Sequence, residues 1–103
     1  MSPAAQRAAS YAASVDVQLE VDGVREISMT RATTTIWGTS GTGNPTAVRI
    51  VEAVAGYGYL AIRRHGKRAR FVSRTDKPIP PEAMSPKDRE LTRQTVMRRN
   101  ANG

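Results

Sequence analysis

The chain has 103 residues, of which 39% are apolar, with no cysteine, a single histidine and 16 Lys/Arg against 9 Asp/Glu, a formal charge of +7. That length allows one small domain with a thin core. The composition excludes disulfides, thiolate metal sites and a His-rich zinc centre, and no apolar run is long enough to cross a membrane. The charge is unevenly placed: residues 1–57 hold four Arg against five Asp/Glu, and residues 58–103 hold twelve Lys/Arg against four Asp/Glu. The expectation is a cytoplasmic protein with a polyanionic partner, nucleic acid first.

Residues 1–14, rich in Ala and Ser and free of acids, read as a flexible N-terminal arm, since an isolated helix of that length is marginal. Val15, Val17, Leu19 and Val21 then alternate with Asp16, Gln18 and Glu20, the period of a half-buried strand. Asp22-Gly23 reads as a turn, with Val24 to Arg31 as the return strand. A three-residue loop is the preferred register, because it gathers the apolar side chains on one face. Thr33 to Trp37 is β-branched and aromatic, and continues the meander as a third strand.

Gly38 to Thr46 is loop composition ending in Asn44-Pro45, an N-cap followed by a proline at the first helical position. Ala47, Val48, Ile50, Val51, Val54 and Ala55 follow at helical spacing, with Arg49, Glu52 and Ala53 opposite and Gly56 placed to end the helix. Gly38 and Gly43 have Walker A separation, but Asn44 stands where that loop needs Lys. Gly41-Thr42-Gly43 likewise lacks the third glycine of a dinucleotide fingerprint. A connector is the simpler reading, with backbone N–H groups at Asn44 to Ala47 as an anion-holding alternative.

Tyr57 to Arg74 reads as a second hairpin about His65-Gly66. In that register Leu60, Ile62, Ala69 and Phe71 share an apolar face, and Tyr59, Ala61, Arg63, Arg68, Arg70 and Val72 share the other. Six of the twelve residues from Arg63 to Arg74 are cationic and none is acidic. Residues 76–85 form a Pro-rich linker between a β-rich domain spanning 15–75 and a basic C-terminal segment 86–103. In that segment Ser85-Pro86 starts a helix.

Three strands, a helix and a hairpin follow the order of a small five-stranded OB-like barrel, or of a strongly curved antiparallel sheet with one packed helix. The expected class is thus mainly β (α+β) with a C-terminal helical extension. A winged helix, with residues 45–55 as recognition helix and 57–74 as wing, is disfavoured because Thr33 to Asn44 does not read as the helix that must precede it.

The expected function is non-enzymatic binding of single-stranded DNA or RNA. Arg63, Arg64, Lys67, Arg68, Arg70 and Arg74 would contact phosphates, while Tyr59 and Trp37 stack on bases. Arg89, Arg93, Arg98 and Arg99 form a secondary basic arm, whose simpler role is to pair locally and to complement the helix dipole. The alternatives are an acidic protein surface as partner, or duplex DNA bound by a winged helix. A homodimer through a sheet edge or Trp37 is open to so small a domain. No cofactor or metal is implied, and one His lacks the partners that catalysis requires.

Overall fold

A computed structural model describes residues 1–38 and 44–102. The element order is α1 (Pro3–Asp22), β1 (Glu26–Ser28), α2 (Met29–Trp37), α3 (Pro45–Gly56), β2 (Leu60–His65), β3 (Ala69–Arg74), a 3-10 turn (Pro81–Ala83) and α4 (Pro86–Asn102). The three strands form one open antiparallel sheet in the order β1-β3-β2. Helix makes up 63% of the described residues, so the mainly β, five-stranded barrel expected from the sequence is overturned. A short strand thus follows α1, α2 and α3 pack together, and the hairpin's return strand pairs with that short strand.

The correction begins at α1. Ser2 caps it, its side chain accepting a hydrogen bond from Ala5 N at 3.1 Å, and Pro3 opens it. The same cap-then-proline grammar starts α3 at Asn44-Pro45. Ser85-Pro86 opens α4 in the same way, with Ser85 accepting from Asp88 N. Asp22-Gly23 is a helix end and not a hairpin: Gly23, at φ +66, donates to Glu20 O, and Val24 N donates to Leu19 O. Ala8, Ala9, Ala12, Ala13, Val15, Val17, Gln18 and Leu19 are buried, so the residues read as an arm and a strand are one central helix. It packs against α2, α3 and β3 and also against α4 and the 3-10 turn. A helix covered nearly all round loses the polar face that would mark its period, and the alternation of 15–21 then mimics a strand.

The second correction is α2. Met29, Ala32 and Thr33 are buried and Ile36 half-buried, a spacing of three, four and seven that one helix face explains. Its threonine hydroxyls are satisfied by bonding back onto the preceding turn: Thr33 and Thr34 donate to Thr30 O, and Thr35 to Arg31 O. Ser28 caps the helix through Arg31 N. Of the expected return strand only Glu26–Ser28 is a strand, and it pairs with β3 rather than with residues 15–21.

α3 and its outward residues match the sequence reading, but the second hairpin is shifted. His65 lies opposite Ala69, so the loop is Gly66-Lys67-Arg68, three residues long, with Gly66 at φ +69. Val72, expected on the polar face, is instead fully buried and pairs with both Ile27 and Ile62. Ala8, Ala9, Ala12, Val15, Leu19, Ile27, Met29, Ala32, Val51, Val54, Tyr59, Leu60 and Val72 form the central core. The proline segment straps the domain: Ile79 and Ala83 pack on the core, and Ser10 Oγ donates to Ala83 O at 2.7 Å. No helix among the described residues is long and apolar enough to cross a membrane.

Candidate nucleic-acid interface

The shifted register redistributes the cationic run. Arg64 and Arg70 are directly opposite each other on the sheet face shared by Leu60, Ile62 and Val72, the face that α3 covers. Arg63 and Phe71 are opposite each other on the reverse face. There the Arg63 guanidinium lies 4.7 Å from the Phe71 ring centroid and reaches over β3 to Glu26, donating from Nε at 3.0 Å and Nη2 at 2.7 Å. Those bonds hold the Glu26 carboxyl below the usual carboxylate range. Arg63 is therefore a sheet-bracing residue, and its expected place beside Arg68 and Arg70 on one basic face is corrected.

Two further expected contacts belong to the fold. Tyr59 is 3% exposed and its ring carries Lys77 Nζ at 4.5 Å, so it cannot stack on a base. Arg74 donates to Tyr59 O and to Lys77 O, and its Nε lies 3.5 Å from Asp16 Oδ1, which ties the hairpin base to α1. What stays outward is Arg64, Lys67 and Arg68 at the hairpin end, each without a carboxylate within 4 Å among the described residues. Trp37 remains at the surface, 45% exposed at the C-terminal end of α2.

The residues that sequence reasoning missed are on α3. Pro45, Thr46, Arg49, Glu52 and Ala53 are exposed, one strip along the helix, while Ala47, Val51 and Val54 are buried behind it. The strip was legible as the polar side of the helical spacing, but it had no use in a barrel. Arg49 is its one cation, and Arg70 Nη1 lies 3.9 Å from Glu52 Oε2, which links the strip to the hairpin. The anion-holding idea at the start of α3 has a competitor inside the fold, because Asn44 Oδ1 accepts from Thr46 N at 3.0 Å and Ala47 N at 3.4 Å. Gly41, Thr42 and Gly43, weighed as nucleotide fingerprints, lie outside the described residues.

The C-terminal basic residues are largely turned to structure. Arg89 bridges Asp16 at 3.1 Å and Glu20 at 2.6 Å on α1, Arg93 pairs with Glu90 at 3.2 Å, and Arg99 donates to Thr34 O. Only Arg98 of that set is an exposed cation without a carboxylate in reach among the described residues. Beside them Asp22 accepts from Arg31 at 2.6 and 3.0 Å, from Gln18 at 2.9 Å and from Asn100 at 2.8 Å. The Arg31 contact is the chief reason that its carboxyl is held below the ordinary value. No group of three His, Asp or Glu is arranged to hold a metal among the described residues. Comparisons with protein-family models, with curated proteins and with solved structures found no match.

Proposed function

We propose that this chain binds duplex DNA without catalysing a reaction, with α3 presented to the major groove and the β2–β3 hairpin reaching the flanking backbone. The observation that carries the reading is the joining of two surfaces, the outward strip of α3 and the cationic hairpin, through the Glu52–Arg70 contact. A major groove admits one helix, and Thr46, Arg49 and Ala53 supply a narrow strip on which Arg49 can donate to a base edge or a phosphate. Arg64, Lys67 and Arg68 supply the sequence-independent part, phosphate neutralisation.

The single-stranded preference loses both of its supports, since Tyr59 is buried and the barrel is absent. Fluorescence anisotropy with a labelled oligonucleotide, as duplex and as single strand, tests the reading at several salt concentrations. Tighter binding to duplex is expected, with log K falling against log salt at a slope of roughly −4 for four to five phosphate contacts. Equal or stronger single-strand binding, or no binding to either at low salt, contradicts it. The latter result would turn the basic face back to an acidic protein partner.

A further inference from the structure

The pairing of β2 with β3 sets Arg64 directly opposite Arg70. Like charges in that relation repel, and a counter-charge nearby relieves them. In the free protein the carboxylate that approaches is Glu52, with Oε2 at 3.9 Å from Arg70 Nη1, near the outer limit of an ion pair. Its side chain is 51% exposed and that of Arg70 27% exposed. No ion pair between Glu52 and Arg64 is formed among the described residues. Glu52 also sits one helical turn from Arg49 on the outward strip of α3, so a polyanion lying along that strip would meet its negative charge beside the positive one.

A long, poorly covered contact to one arginine of an opposed pair is a weak use of a carboxylate. A phosphodiester has two non-bridging oxygens sharing one full charge, and it can face both guanidinium groups with charge-assisted bonds. We infer that Arg64 and Arg70 form one clamp for a backbone phosphate of duplex DNA, and that Glu52 is an internal carboxylate standing in for that phosphate until DNA displaces it. The inference rests on the duplex-binding reading and gives it a built-in brake: part of the clamped phosphate's attraction goes to expelling Glu52. Glu52 is here a positioning residue, acting on DNA through Arg70.

A double-mutant cycle tests it, with dissociation constants measured by anisotropy on one labelled duplex at fixed salt. The four proteins are the wild type, Glu52→Gln, Arg70→Met and the double variant. Glu52→Gln is expected to tighten binding about threefold, the size of a released surface pair. In the Arg70→Met background the same change is expected to tighten binding by less than about 1.5-fold, because the brake acts through Arg70. An undiminished gain in that background would show that Glu52 merely repels DNA at large, and would overturn the clamp. Weaker binding by Glu52→Gln would place Glu52 on a base edge and overturn it as well. Wild-type binding with no coupling defeats this inference alone, whereas failure of the wild type to bind any duplex defeats the function beneath it. Matching circular dichroism spectra check that all four proteins are folded, and Arg70→Gln replaces Arg70→Met if the latter is not.

Discussion

The flank formed by α1, the start of α2 and α4 and the end formed by α3 and the hairpin are both rich in arginine, yet they use it in opposite ways. On the flank Arg31 meets Asp22, Arg89 meets Asp16 and Glu20, and Arg93 meets Glu90, all within 3.2 Å. At the other end Arg49, Arg64, Lys67 and Arg68 face outward without a carboxylate within 4 Å among the described residues. Charge counted along the sequence cannot separate these roles, because the acids that neutralise Arg89 lie some seventy residues earlier, on α1. A net positive charge becomes a binding surface only where the fold withholds its counter-charges.

The largest effect on this contrast is expected from Lys67→Glu/Arg68→Glu at the hairpin tip. Duplex affinity should fall roughly fiftyfold and the salt slope should flatten by about 2, as two phosphate contacts are lost. Chemical denaturation should be unchanged, since neither side chain packs against the domain. The converse is expected on the flank. Asp22→Asn weakens charge-assisted bonds from Arg31 and should cost about 2 kcal/mol in urea denaturation. Duplex affinity should stay as in the wild type.

A pH series sharpens the same division. Asp22 and Glu26 are held below their ordinary values by Arg31 and Arg63, so their added stability is fully present above the unfolded-state value. It is lost as pH falls through that value toward the lowered one. The urea midpoint of the wild type should therefore drop on acidification from about pH 5 to pH 3. Asp22→Asn should show a shallower drop over the same range. An equal acid sensitivity of the two proteins would show that Asp22 does not carry this stability.

What the sequence made legible was what its local grammar specifies. Asn44-Pro45 and Ser85-Pro86 located two helix starts, and Arg49, Glu52 and Ala53 were placed on the outward side of α3 before any fold was known. Ser2-Pro3 carries the same grammar at the start of α1, but the alternation of Val15 to Val21 reads as a strand, because a helix buried on several sides shows no polar face to mark its period. α2 was obscured by β propensity: Thr33 to Trp37 favours a strand, while Met29, Ala32, Thr33 and Ile36 recur at helix spacing. With α2 read as a strand, the element order became that of a barrel. The hairpin was recognised, but its register turned on whether Phe71 must face the core. It does not, because the stacked Arg63 and the Glu26 bridge cover it on the reverse face. A three-residue shift of that kind exchanges which arginines share a sheet face.

The smallest change that tests the account is therefore at adjacent residues of the cationic run. Duplex affinity of Arg63→Ala and Arg64→Ala, measured against salt, separates the two faces of β2 directly. Arg64→Ala is expected to weaken binding about fivefold and to flatten the salt slope by about 1, while Arg63→Ala keeps the wild-type slope. Equal losses at both positions, or a loss at Arg63 alone, would contradict the assignment of the interface to α3 and the hairpin face beside it.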